Sequence, residues 1–272
     1  MGEPVLERMM RLGVAGCGAM GLPMAEALAA AGLDTRGYDL VPRAGAVRLA
    51  DWQSFCGEVE TVISVVRDVP ETEALLFGPD GLIANAPHLS RLVISSTVAP
   101  PYIHDLRKRL DQAVALIDAP MSGAPIGARE RRLSFMLGGA DADIAPLMPA
   151  FRAMGQEIRH LGPLGAGMTM KVLNNMVGAA SVVATRLARD WAGAAGIDPA
   201  VVLSVLEASS GQTWVSRNYD RIEWIEEGFD PANTMGILAK DVTAALEAAP
   251  NGADKTLPET LIGLIQGLSP KD

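Results

Sequence analysis

Aromatic residues are scarce, at 4 % of the 272 residues, so any core has to be built from Ala, Val, Leu, Ile and Met. There are two cysteines, Cys17 and Cys56, too few and too far apart for a disulfide framework or a thiolate metal cage. The three histidines, His88, His104 and His160, share no ligand spacing, which leaves a zinc centre or a histidine-based catalytic site without support; no metal is expected. Positive charge is also short: 23 Lys and Arg stand against 32 Asp and Glu, for a net charge of -9. That is the wrong sign for a surface that tracks phosphates, so nucleic acid is not an expected partner. The longest apolar run, 172–185, contains two asparagines and ends at Arg186, short of the ~17 residues a membrane span needs. The first residues, "MGEPVLERMMRLG", lack the charged-then-apolar order of a signal peptide. Leu6 stands where an N-myristoylation pattern wants Ser or Thr. A soluble, cytoplasmic protein is expected, with no membrane partner.

What the chain does have is apolar material, 49 % of its residues, enough for one large or two ordinary domains. Short apolar runs recur at 12–15 ("LGVA"), 35–38, 61–66 ("TVISVV"), 91–96 ("RLVISS"), 113–118 ("AVALID") and 133–139 ("LSFMLGG"). Helical or loop segments separate most of them, among them an Ala-rich stretch over 22–31 that stops at Gly32. Strands alternating with helices point to a parallel sheet covered on both faces. Past 162–165 ("GPLG") the pattern changes. Residues 168–195 have the length and composition of one long helix, and shorter helical segments follow, broken at Asp198-Pro199, Gly211 and Pro231. The expectation is an α/β domain over 1–164 and an all-α domain over 165–272.

The first run leads directly into Gly16-Cys17-Gly18-Ala19-Met20-Gly21, a G-x-G-x-x-G motif. Alone it is a weak signal, but here a strand precedes it, a helix follows, and an acid closes the next strand. Gly16 permits the tight turn, Gly18 lets backbone approach a pyrophosphate, and Gly21 lets helix and strand pack closely. The anion then sits on the N–H groups of the helix N-terminus. Asp39 lies 18 residues past Gly21, near the spacing at which a carboxylate bonds the adenosine ribose hydroxyls. That carboxylate favours NAD, because it repels a 2′-phosphate. Arg36 and Arg43 could pair with such a phosphate, so NADP stays open. A glycine-rich turn that binds nothing is the bland alternative.

Lysine is rarer than arginine: five of the 23 basic residues, at 108, 171, 240, 255 and 271. At the apolar-flanked positions Lys171 and Lys240 the chain uses an amine where it elsewhere uses a guanidinium. Arginine keeps its proton at any ordinary pH, whereas a buried amine can exchange one. On a helix, Lys171 and Asn175 share one face, one turn apart. The bland alternative is a lysine whose stem is covered and whose amine reaches solvent.

These segments together resemble the β-hydroxyacid dehydrogenases, the family of 3-hydroxyisobutyrate dehydrogenase and tartronate semialdehyde reductase. "GVAGCGAMGLPMAEALAAAG" is similar to the family's cofactor motif, and "SSTVAPP" (95–101) to its S-T-x-x-P segment. "DAPMSG" (118–123) resembles its substrate-binding D-x-P-x-S-G, and "GAGMTMKVLNN" (165–175) its catalytic G-x-G-x-x-x-K-x-x-N-N. "KD" (240–241) resembles a Lys-Asp pair near its active site. The resemblance runs in order along most of the chain. It implies a Rossmann domain joined by a long helix to an α-helical domain, with the active site in the cleft between them. It implies hydride transfer between C4 of a nicotinamide and a small, carboxylate-bearing β-hydroxy acid, giving the semialdehyde or keto acid. Lys171 is then the general base or acid. Ser122, also counted among the catalytic residues, and the Gly123 backbone hold the substrate carboxylate, and Asn175 bonds the substrate. Asp241 lies near the substrate, with Trp214 and Tyr219 as pocket walls, or as core packing. Val66, Arg67, Thr97 and Lys240 join the glycine loop around the cofactor.

Three departures bear on selectivity. The family often has a second glycine after Ser-Gly, where this chain reads Ala124-Pro125. A charged run, Arg129-Glu130-Arg131-Arg132, replaces a later glycine; it is either a solvated loop or a cationic pocket edge for a second acidic group. The chain also continues only briefly past Lys240-Asp241. Two other readings remain: an imine reductase of the same architecture, a group that commonly replaces the lysine, and a non-catalytic dinucleotide-binding protein. The resemblance implies a homodimer or homotetramer.

Overall fold

The computed structural model describes residues 10–47 and 49–271; residues 1–9, on which the absence of a leader was mostly read, lie outside them. The chain forms two compact units, one ending at Lys171 and the other beginning at Val172. The first contains strands β1 (Leu12–Ala15), β2 (Thr35–Tyr38), β3 (Thr61–Ser64), β4 (Arg91–Ile94), β5 (Ala115–Asp118), β6 (Met121–Ser122), β7 (Leu133–Gly138) and β8 (Gly155–Gly162). Between them lie α1 (Gly21–Ala30), α2 (Trp52–Glu58), α3 (Val69–Phe77), α4 (Leu82–Asn85), α5 (Pro100–Arg109), α6 (Ala124–Arg129), α7 (Asp141–Ile144) and α8 (Met148–Met154). The long helix α9 (Ala166–Ala194) crosses the division, and α10 (Pro199–Ala208), α11 (Trp214–Asn218), α12 (Thr234–Glu247) and α13 (Thr256–Gln266) complete the second unit.

The sheet has eight strands in the order β2-β1-β3-β4-β5-β7-β6, with β8 also on β7. Alternation explains why both faces are covered. Leu12, Val14, Ile63, Val93 and Ile117 point into one core cluster. Their neighbours Ala15, Val62, Leu92, Ile94 and Leu116 point into another. The strands from β2 to β5 are parallel, as expected. β7 departs from that expectation and runs antiparallel to β5 and β6, because a short helix-bearing connection returns the chain beside them. Two strands were not foreseen. β6 has only two residues, and β8 is a mostly exposed polar strand without apolar alternation.

The two compact units divide at Lys171, inside α9, a few residues past the boundary expected between 164 and 165. The first turns of α9 belong with the sheet: Met168 is fully buried in the cluster of Val98, Ile103 and Leu116. In the second unit, Val182, Val215, Met235, Val242, Leu261 and Ile265 form a separate core. Arg186, 2 % exposed, donates there to the carbonyls of Ile225, Glu227 and Ser269.

Candidate active site

The glycine loop leaves β1 and enters α1 directly. Gly16 has φ +93°, a left-handed conformation that suits glycine. A Cβ there would lie 2.8 Å from the Val65 carbonyl oxygen and one at Gly21 would lie 2.1 Å from the Gly16 carbonyl oxygen, whereas one at Gly18 would meet nothing within 4 Å. Two of the three glycines are therefore required by the protein's own packing. Gly18 is not, and the space it leaves is what a pyrophosphate needs for close backbone approach. No side chain caps α1, whose N-cap is Met20, so its first-turn N–H groups suit an anion. These features fit a dinucleotide.

Asp39 directly follows β2, and its carboxylate accepts from the Val41 N–H at 2.8 Å, shaping its own turn. Of the two arginines that kept NADP open, Arg36 pairs with Glu58 at 2.7 Å and with Asp34 at 2.5 Å. Glu58 holds its guanidinium proton still more firmly than usual. Val66 sits behind the glycine loop, its amide nitrogen 3.0 Å from a Cβ placed on Gly16. The Arg67 N–H donates to Glu71 at 2.9 Å in the turn before α3, and Thr97 lies beyond the end of β4, before α5. Cys17, inside the loop, is fully buried and donates to the Val14 carbonyl. Burial pushes its thiol up to about 12, so it is packing material rather than a nucleophile.

Ser122 ends β6 opposite Ser134 of β7. Gly123 follows at φ +136°, and Ala124 at φ +56°. The position that departs from the family pattern thus has the backbone conformation that favours glycine, with an alanine in it. Arg131 is the other described non-glycine residue at positive φ, +54°. Arg129, Arg131 and Arg132 are exposed, and Arg132 pairs with Glu130. The charged run is therefore a solvated turn.

Lys171 is 8 % exposed on α9, and Asn175 stands one turn on along the same helix. The Asn175 amide is held at both ends. Its Nδ2 donates to Asp241 Oδ2 at 2.6 Å, and its Oδ1 accepts from Asn174 at 3.2 Å. Asp241, 3 % exposed on α12, also has its Oδ1 3.0 Å from Lys240 Nζ. Asn175 and Asp241, expected at the substrate, and Lys240, expected at the cofactor, are thus linked in one chain with Asn174, in which Asp241 orients the Asn175 amide.

Trp214 and Tyr219 part company. Trp214 is 50 % exposed at the start of α11. Tyr219 is 3 % exposed, with the Arg189 guanidinium 4.2 Å from its ring centre; burial raises its hydroxyl to about 12. Tyr219 holds the packing position given above as its alternative role. Asp118, fully buried at the end of β5, was read only as the first residue of "DAPMSG". It accepts from the backbone of α9's first turn, and that motif position was the signal for it. Among the described residues there is no cluster of His, Cys, Asp and Glu that could hold a metal.

Residues 11–162 match the family model for the NAD-binding domain of 6-phosphogluconate dehydrogenase, and residues 165–259 that for the NAD-binding domain of NADP-dependent 3-hydroxyisobutyrate dehydrogenase. The chain is 30 % identical over 262 residues to an NAD-dependent L-serine dehydrogenase of Pseudomonas aeruginosa, covering 91 % of this chain and 88 % of that one. It is 36 % identical over 216 residues to a 3-hydroxyisobutyrate dehydrogenase of the same organism, covering 75 % and 72 %. A solved structure of 3-hydroxyisobutyrate dehydrogenase from Mycobacterium tuberculosis, with L-serine, superposes with a TM-score of 0.74 at 25 % identity over 94 % of this chain and 92 % of that one. From a glycine loop with room for a pyrophosphate, and from matches that run through both units, it follows that the chain belongs to the β-hydroxyacid dehydrogenase family and is an oxidoreductase that uses NAD, with NADP possible, at a hydroxyl-bearing carbon.

Proposed function

We propose that the substrate is a small β-hydroxy acid of the 3-hydroxyisobutyrate, glycerate or serine type, with NAD the preferred cofactor and Lys171 the general acid/base. One observation carries this reading. An amine at 8 % exposure stands one helical turn from an amide that a buried carboxylate fixes in place. Burial on a continuous helix gives Lys171 the rigidity that proton transfer demands. The names of the relatives, L-serine and 3-hydroxyisobutyrate dehydrogenases, support the substrate class.

Bound NAD supplies the hydride acceptor, C4 of the nicotinamide. The Ser122 hydroxyl and the Gly123 N–H receive the substrate carboxylate, as short donors on a turn do. Asn175, oriented by Asp241, bonds the substrate hydroxyl. As the C–H electron pair leaves as hydride, the hydroxyl proton passes to Lys171 Nζ and the C–O bond becomes a carbonyl. In the reverse direction Lys171 returns that proton. Lys171 also separates this reading from imine reduction, since the family pattern it completes is the one imine reductases commonly lose.

The engaged Arg36 supports NAD over NADP, since only Arg43 of the two candidate arginines lacks a carboxylate partner among the described ion pairs. The protein is read as a homodimer or homotetramer. Leu173, Val177, Leu187 and Trp191 are exposed on α9, at heptad-like spacing with Ala180 and Ala184 between them. A groove of about 470 Å³ lined by Val177, Ala184, Leu206 and Leu257 lies beside that stripe. A cytoplasmic location suits two buried free thiols and no membrane-length apolar helix among the described residues.

The test is NAD reduction with L-serine, glycerate, 3-hydroxyisobutyrate, threonate and a sulfonated analogue, on wild type and Lys171→Ala. Turnover of a panel member that drops by about 10²–10⁴-fold in the variant is expected, the range for a lost general base. Tight NADH binding with no turnover of any member would remove the reading.

A further inference from the structure

Asp118 has no exposed surface. Its Oδ1 accepts the Gly165 N–H at 2.7 Å and its Oδ2 the Met168 N–H at 2.6 Å. Those two donors are N–H groups at the start of α9, which have no partner within the helix. One carboxylate therefore caps the helix that carries Lys171, three residues before it. The same residue ends β5, four residues before Ser122. The surroundings are cut to fit that carboxylate. A Cβ at Gly138 would lie 2.3 Å from Oδ1, and its other close neighbours would both be atoms of the same carboxylate. A Cβ at Gly167 would lie 2.9 Å from Oδ2. Gly165 itself is held at φ +92° beside His104, so its N–H turns toward the acid.

We infer that Asp118 is a positioning residue for the proposed reaction: it fixes the helix carrying Lys171 against the strand that leads to Ser122, and so sets the distance between the proton acceptor and the carboxylate loop. The inference rests on the assignment of Lys171 as the acid/base. Burial alone raises the carboxyl above its ordinary range, outweighing the backbone hydrogen bonds and the nearby His104 charge that lower it. Its ionised form is therefore a net cost to the fold, and such a group is better explained by the geometry it enforces than by stability. The requirement is geometric because a reacting pair displaced by about 1 Å loses about a hundredfold in rate.

The measurement compares wild type, Asp118→Asn and Gly138→Ala for three readouts: kcat and KM for the panel acid that turns over best, the dissociation constant of NADH, and amide exchange along α9. Asn keeps the shape but turns an N–H toward a backbone N–H. Ala at 138 keeps the carboxylate but pushes it aside. We expect kcat to fall about a hundredfold in Asp118→Asn, with KM and the NADH dissociation constant within about threefold of wild type. Exchange should quicken only over the first turns of α9. The double variant should be no slower than Asp118→Asn alone, since both changes break one contact. A kcat within about threefold of wild type in both single variants overturns the inference, as does a loss of NADH affinity that matches the loss of kcat. If Asp118→Asn does not fold, Gly138→Ala decides by the same criteria. If wild type turns over no hydroxy acid, the Lys171 assignment fails on its own. Unchanged exchange at the start of α9 would then refute the anchor separately.

Discussion

At the residue scale, the three glycines of the cofactor loop have different reasons to be glycine, and this makes them separable. Gly16→Ala places a Cβ against Val65 backbone at a positive φ; it should cost about 1–3 kcal/mol of stability, read as a lower urea midpoint. Gly18→Ala meets no protein atom; its midpoint should stay within about 0.5 kcal/mol of wild type. Its NADH dissociation constant should rise about tenfold or more, or about 1.4 kcal/mol. Equal losses of stability in both variants would remove the distinction. Asp241→Ala strips the acceptor from the Asn175 amide and should lower kcat/KM by about 10–100-fold, the effect of removing an orienting partner; unchanged kinetics would show that Asn175 needs no orientation. Motif and spacing marked Gly16, Gly18, Gly21 and Lys171 as candidates. The resemblance placed Asp241 near the substrate, but its hydrogen bond to Asn175 was not readable, because the two are 66 residues apart in sequence; nor was the burial of Tyr219, since no local pattern says which side of its short segment faces the core.

At the scale of elements, α9 carries both Lys171 and Asn175. Its length was legible from 168–195, since an unbroken stretch without proline or a capping glycine continues as helix. Its anchor was not, because a strand-end aspartate and a helix N-terminus become neighbours only when the sheet forms. The anchor predicts a pH effect with a definite sign. The raised carboxyl of Asp118 holds its proton more tightly in the folded chain than in the unfolded one. Its contribution to stability is therefore complete below about pH 4 and lost as pH rises through the folded value. The difference in unfolding free energy between wild type and Asp118→Asn should accordingly move against wild type from about pH 4 upward. His104, whose charge favours the ionised form, faces the same turn, so His104→Gln separates the two contributions. Asp51, Asp105 and Asp254 are held below the usual range by neighbouring hydrogen bonds; they act with the opposite sign, and comparison with the Asn variant cancels them. A difference that does not change with pH would contradict the burial argument.

For the whole molecule, the exposed apolar stripe on the second unit predicts association. Light scattering at micromolar concentration should give a dimer or tetramer, and Val177→Glu together with Trp191→Glu should shift it toward monomer; a monomeric wild type would refute the assembly. The sequence by itself determined the class of fold, the cofactor loop and the acid/base candidate, because each depends on short-range patterns: short apolar runs alternating with helical segments, glycines at fixed offsets, and a lysine and an asparagine one helical turn apart. It also held the short apolar runs from which β1 to β5 and β7 were read. Only the tertiary structure decided that β7 turns antiparallel and that the polar strand β8 joins it, since strand pairing is a matter of chain return rather than of composition. Only the tertiary structure assigned Arg36 to Asp34 and Glu58, buried Tyr219, and set Asp118 under the first turn of α9. Those outcomes rest on hydrogen bonds and packing between residues tens of positions apart, which no local pattern encodes.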